Sequence, residues 1–501
     1  MIPTPGTVSA ALQGLAVALY AGCQAALVGY SAHRWLMLAD RASEPETPAR
    51  WWRPGEEPHV LVQLPVLDEP AVVERLLVTA AALDWPRDRL EIQLLDDSDA
   101  AATAIGARAV ARIRGTGAWV HHVRRDHRRG FKAGALAEGL AKSDADYVTV
   151  FDADFVPSAD FLRRALPHFA DARVGLVQAC WGHLNRNASL LTRAQATMLD
   201  AHLLVEHEWR QRTGRFLNFN GTAGVWRRAC IDDAGGWSHD TLTEDLDLSY
   251  RAQLAGWRFA FDRTLVVPAE LPEGMEAFRS QQHRWAKGAL QTARKLLPRV
   301  ARAPLPWHVK QEAFVHLTAN VTYPLLLALA LLLFPMLRVS STRPASWMLA
   351  LHVFVVAAGT LPMALFLVRG QQLAGQRGLR VAVDVAAALL LCAGLSWHLA
   401  CAVGEGLWGA TGEFVRTPKT GAGANLAKRG SLSGPAQRRR QSIFAGLPER
   451  VLAGAFAGLA VWASASGRPV AAPFLLSLAA GLGWVGLAPR RGAAPVQRPG
   501  N

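Results

Sequence analysis

The pattern of apolar and polar positions changes twice along this chain. Between residues 59 and 303, short apolar runs alternate with segments of helical spacing. HVLVQLPV (59–66) reads as a strand and 71–83 as a helix. LEIQLL reads as a second strand and ends in DDSD. An Ala-rich helix, the strand AWVHHV, a helix over 132–141 and the strand YVTVF follow, the last ending in DAD; VGLVQA is a further strand. Such alternation predicts an α/β layered domain, a mostly parallel sheet flanked by helices. Ligands on such sheets sit beyond the carboxyl ends of the strands, where the acidic clusters at 96–99 and 152–154 both fall.

Outside this region the apolar runs lengthen to the scale of membrane spans. The pattern divides the chain into an N-terminal transmembrane helix (8–34), a linker (35–58) and the α/β domain (59–303). Transmembrane or interface helices (304–412), a basic loop (413–447), a transmembrane hairpin (448–488) and a basic tail (489–501) follow. No Lys or Arg precedes the first span, whereas His33 and Arg34 end it, which predicts an outside N-terminus and a cytosolic α/β domain. Region 304–412 holds three apolar segments, 314–336, 347–368 and 381–408. The third contains Asp384, His398 and Glu405 and is expected to lie along the interface or to re-enter, leaving five spans and one interfacial helix.

Composition fits a soluble domain joined to membrane helices: 51% of the 501 residues are hydrophobic and 19% charged. The net charge of +14 suits nucleic acid, anionic lipid or phosphorylated substrates. Many arginines flank apolar segments, which favours the lipid membrane and disfavours nucleic acid. The five cysteines match neither a zinc pattern nor a disulfide framework.

Several short motifs carry candidate chemistry. Carboxylates gathered at a sheet edge repel one another unless a cation is present; Mg2+ or Mn2+ shared between Asp152, Asp154 and a diphosphate would answer this. Read alone, a D-x-D tripeptide is equally a turn or a cap. Arg128, Arg129 and Lys132 surround Gly130 ahead of a helix, which is either a solvated basic loop or a phosphate or nucleobase cradle. FNGTAGVW (219–226) reads as a tight turn, or as a place where a sugar ring approaches the backbone, with Trp226 packing. TEDLDLSYR places Thr243 as a helix cap with Glu244 and Asp245 in the first turn, and a carboxylate there could instead deprotonate an acceptor hydroxyl. In SQQHRWAKGAL (280–290), Arg284 suits a diphosphate and Trp285 the apolar face of a sugar. Lys287 and Arg294 read as interface anchors.

In this order DDSD, GFKAG, DAD, TED and QQHRW resemble the processive family 2 glycosyltransferases, over about 60–295. FNGTAGVW and QQHRW look most like the cellulose synthase-like branch that includes glucomannan mannosyltransferases. EFVRTPK (413–419) resembles the start of the cellulose synthase gating loop, with Thr417 and Lys419 in place and Arg416 where that family has a valine-type residue. The resemblance implies a GT-A-type α/β fold plus an α-helical transmembrane region. It implies a nucleoside-diphosphate sugar donor (UDP-glucose or GDP-mannose), inversion, and a growing β-linked polysaccharide as acceptor. By the same resemblance Asp96, Asp97 and Lys132 would hold the nucleotide. Asp152 and Asp154 would bind the diphosphate and its Mg2+ or Mn2+. Asp245 would be the catalytic base, and Asn220, Gly221, Glu244, Gln281 and Trp285 would contact the acceptor, with Arg284 on the donor. It implies a multi-pass protein of a bacterial-type inner or plasma membrane. A non-processive enzyme glycosylating a lipid, or an export or sensor protein that only binds sugar, are the other readings of these residues.

Overall fold

A computed structural model describes residues 5–40, 50–53, 55–339, 346–409 and 446–488. The gating-like stretch 413–419 and the basic tail fall outside the described residues. The α/β domain is built on seven strands: β1 (Val60–Val66), β2 (Leu90–Asp96), β3 (Trp119–Arg124), β4 (Tyr147–Val150), β5 (Val174–His183), β6 (Gly224–Arg227) and β7 (Arg258–Ala269). Their order is β3-β2-β1-β4-β6-β5-β7. Only the two pairings of β6, with β4 and with β5, are antiparallel.

Alternation along the strands explains the layers. Val60, Val62 and Leu64 of β1 join one core with the helices Val73–Ala81 and Ala100–Arg114, while Leu61 joins the opposite core with Ala135, Leu136 and Leu140. Both faces are therefore buried, as parallel sheets require. The helices expected at 71–83 and 132–141 are Val73–Ala81 and Phe131–Leu140. FNGTAGVW departs from the turn reading, because Gly224–Arg227 is a strand inside the sheet and Trp226 is fully buried. Thr243 also departs from expectation. It precedes the helix Glu244–Leu254 but makes no side-chain cap, and its Oγ1 lies 3.4 Å from Thr292 Oγ1.

Three described helices are long and apolar enough to cross a membrane: Leu12–Ala39, Trp307–Leu337 and Pro469–Leu487. The expected interfacial segment is the helix pair Leu379–Gly394 and Ser396–Trp408, bent by 52°, a broken span or a re-entrant loop. Its polar residues face the α/β domain. Asp384 accepts from Arg193 Nε at 2.8 Å, His398 Nε2 lies 3.1 Å from the Arg279 carbonyl, and Glu405 accepts from Lys287 at 2.9 Å. Lys287 is therefore not an exposed anchor, since it is buried in an ion pair. Arg294 is exposed and donates to the Gly406 carbonyl at 3.3 Å.

Candidate functional site

The carboxyl ends of β1, β2 and β4, the start of helix Glu244–Leu254 and the helix Met275–Arg302 enclose a cleft of about 160 Å3. Eleven of the twelve expected site residues line it: Asp97, Lys132, Asp152, Asp154, Asn220, Gly221, Glu244, Asp245, Gln281, Arg284 and Trp285. Asp96 does not. As the last residue of β2 it is only 3% exposed, and it meets His122 Nε2 at 2.8 Å and the Ser98 amide at 2.9 Å. Burial pushes its carboxyl up, but His122 and Ser98 outweigh that and hold it below the usual range.

Asp97 takes a bidentate contact from Arg125, which no motif singled out. Arg125 donates to its two oxygens at 3.0 and 2.5 Å, and also to the carbonyls of Arg129 and Phe131, each at 2.9 Å. This fork ties the end of β2 to the loop entering helix Phe131–Leu140. Gly130 (φ 70°) and Phe131 (φ 47°) turn that loop so that Arg128, Phe131 and Lys132 face the cleft. Among the described residues the other non-glycine residues with positive φ are Asp68 and Ala223, both in loops bordering the same cleft. Each costs about 1–3 kcal/mol, and such strain concentrates at functional sites.

The centre of the cleft is a tight meeting of opposite charges. Lys132 Nζ donates to Asp152 Oδ1 at 2.6 Å and to the Gly221 carbonyl at 2.9 Å. Burial lowers the Lys132 pKa, but Asp152, Glu244 and Asp245 outweigh it, so the net shift is upward and the ammonium stays charged. Gly221 has φ 82°, and a Cβ there would stand 2.9 Å from Asp245 Oδ2 and 3.6 Å from Lys132 Nζ. Glycine is what lets the carboxylate, the ammonium and the backbone converge. Asp245 accepts the Leu246 amide at 2.8 Å, yet burial and then the neighbouring charge of Glu244 raise its pKa from 3.8 to about 7. A carboxylate poised there can take a proton at neutral pH.

The described cleft wall carries seven carboxylates and three Lys or Arg side chains. An anionic ligand therefore needs further positive charge. Among the described residues no three His, Cys, Asp or Glu side chains are placed to hold a metal ion. Asp152 and Asp154 are two carboxylates on one loop. They suit a hard cation that draws its other ligands from phosphate and water, and Lys132 Nζ already marks a cation position beside Asp152.

Family models agree with this geometry. Residues 62–196 match the glycosyl transferase family 2 model and 147–367 match the glycosyl transferase family group 2 model. The chain carries family 2 glycosyltransferase domains. It is 44% identical over 250 residues to glucomannan 4-β-mannosyltransferase 2 of Arabidopsis thaliana, covering 49% of this chain and 47% of that one. It is 43% identical over 249 residues to a probable glucomannan 4-β-mannosyltransferase 9 of Oryza sativa subsp. japonica, covering 49% and 47%. The chain thus spans about half the length of the curated relatives it matches. A mannosyltransferase from Pyrobaculum calidifontis, solved with GDP-Man and Mn2+, shares the fold, with a TM-score of 0.53 and 21% identity over 80% of this chain and all of that one. The glycosyltransferase domain therefore has the expected GT-A-like sheet flanked by helices.

Proposed function

We propose that this glycosyltransferase is an inverting, processive, multi-pass membrane enzyme that adds hexosyl units to a growing β-linked polysaccharide. GDP-mannose is the donor this reading favours, because the plant relatives are named mannosyltransferases and the structural neighbour holds GDP-Man; UDP-glucose is the other donor the residues allow. The observation that carries the reading is that Asp245, whose pKa burial and Glu244 raise, lines one cleft with Lys132 and Trp285. Direct displacement at an anomeric carbon needs an activated hydroxyl and a neutralised leaving group.

Asp97, held by Arg125, and Lys132 orient the nucleotide. Lys132 and Arg284 stabilise negative charge on the departing diphosphate. Trp285 offers a flat apolar surface to the acceptor's terminal sugar, Gln281, Asn220 and Glu244 its hydrogen bonds, and Gly221 room for the ring. Asp245 then takes the proton from the attacking hydroxyl. A divalent cation held by Asp152 and Asp154 would supply further charge neutralisation at the diphosphate. Candidate membrane helices support a membrane location, and the basic residues that follow the first span support a cytosolic catalytic domain. The matched relatives are plant proteins, so a bacterial-type membrane gains no support from them.

The test supplies membranes with radiolabelled GDP-mannose or UDP-glucose and with Mn2+ or Mg2+, and sizes the product. A long β-linked polymer is expected. Asp245→Asn should lower its yield by about 10^2–10^4, the usual contribution of a general base. A single-sugar glycolipid, or an unchanged yield from the variant, would overturn the reading.

A further inference from the structure

Behind Trp285 the cleft opens into a second cavity of about 310 Å3 that shares Asp245, Asn220, Gln281 and Trp285 with it. Its far side meets His316 and Asn320, at the beginning of the apolar stretch Trp307–Leu337. The second cavity adjoins Asp245, so it offers space for the sugar that precedes an acceptor's terminal residue.

The wall there is unusual. The helix that begins at Leu190 passes into a π turn over His202–His207 before continuing as Glu208–Arg212. A π turn inserts an extra residue and is frequent at functional sites. It carries His202 and Glu206, both lining the cavity. His202 Nδ1 lies 2.9 Å from Glu206 Oε2, and Glu206 is also bound by Arg210, which is fully buried and donates to Glu312 at 2.8 Å. Burial raises the Glu206 pKa, but Arg210 and His202 outweigh it and hold the carboxyl well below the usual range. Glu206 therefore accepts and Nδ1 is the donor, which leaves Nε2 as the ring's other hydrogen-bonding atom. The His202 side chain is 31% exposed, and among the described residues Nε2 has no hydrogen-bond partner.

We infer that His202, fixed in rotamer by Glu206, binds the sugar that precedes the acceptor's terminal residue, with its Nε2 hydrogen-bonded to a ring hydroxyl. The inference rests on the polymer-synthase reading. It adds an acceptor position distinct from Trp285 and leaves the donor end of the cleft untouched.

The test measures hexosyl transfer from GDP-mannose to β-1,4-mannotetraose by the full-length protein in detergent, together with GDP release without tetrasaccharide. His202→Ala should raise KM for the tetrasaccharide about tenfold, the value of one lost hydrogen bond, while donor KM and GDP release stay unchanged. His202→Gln, which restores a hydrogen-bonding group, should recover part of that loss and also serves if the alanine variant folds poorly. Acceptor KM unchanged in both variants, or raised in step with donor KM, overturns the inference alone. A wild-type protein that releases GDP from GDP-mannose but extends no tetrasaccharide overturns the polymer reading, and this acceptor site with it.

Discussion

Gly288 and Thr243 set the distance between Asp245, the proposed general base, and the helix Met275–Arg302. Gly288 lies one turn beyond Trp285 on the helix Met275–Arg302, and Thr243 immediately precedes Glu244 and Asp245. A Cβ at Gly288 would stand 2.5 Å from Thr243 Cγ2, 2.7 Å from its Oγ1 and 3.0 Å from its Cβ. Carbon atoms pack at about 3.5 Å, so Gly288→Ala forces the two helices apart by roughly 1 Å. Rotating the threonine side chain does not relieve this, because its Cβ is itself among the crowded atoms. A misplacement of about 1 Å can cost about 10^2 in rate. Gly288→Ala should therefore lower kcat for polymer synthesis by about 10^2 and leave donor KM unchanged, with a stability loss of about 1–3 kcal/mol from overpacking. The assay is initial-rate kinetics at saturating donor and divalent metal. Pairing the variant with Thr243→Gly, which removes all three crowding atoms, should restore much of the rate. A Gly288→Ala enzyme with wild-type kcat would refute the claim that this contact sets the position of Asp245.

Two other substitutions probe the charges. Lys132 lowers the pKa of Asp245, so Lys132→Gln should move the acidic limb of the kcat/KM profile to higher pH. The sign follows because the base acts only when deprotonated, and losing a neighbouring cation favours the protonated form; a limb moving to lower pH would contradict it. Arg210→Ala leaves the buried Glu312 and the half-buried Glu206 without their shared cation and should cost about 3–5 kcal/mol, read as a lower Tm of the solubilised protein. An unchanged Tm would mean that Arg210 is not their compensating charge.

The parallel half of the sheet is legible because each of its strands is a short apolar run with a turn signal at its end. β6 is not, because it has four residues, begins with glycine, and is held by pairing with β4 and β5 from distant parts of the chain. β7 hides for another reason. Asp262 and Arg263 break its apolar run, and its pairing with β5 is irregular between Ala179 and Cys180. At the site, motif order located the cleft but did not separate adjacent carboxylates. Successive residues at a strand end point opposite ways, so Asp96 turns to His122 while Asp97 faces the cleft. Arg125 stood among five nearby cations (Arg124, Arg125, Arg128, Arg129 and Lys132), and only its fold partners distinguish it. The π turn leaves no mark in an apolar period, since His202 and Glu206 keep ordinary i, i+4 spacing.

The helix Met275–Arg302 shows why so polar a segment lies beside apolar ones. Gln281, Arg284, Trp285 and Gly288 recur at three- and four-residue steps and form the face toward the cleft and Thr243. Arg279, His283 and Lys287 recur at four-residue steps on another face and meet Glu449, His398 and Glu405 of the apolar region. Backbone contact accompanies the charges, for a Cβ on Gly406 would stand 2.8 Å from the Lys287 carbonyl. A helix held by an apolar stripe alone could slide by a turn at little cost. One held by charge pairs one turn apart would leave a buried charge unpaired if it slid, a loss of several kcal/mol. The polar residues that looked out of place in an apolar segment thus set the register of the helix that carries Trp285.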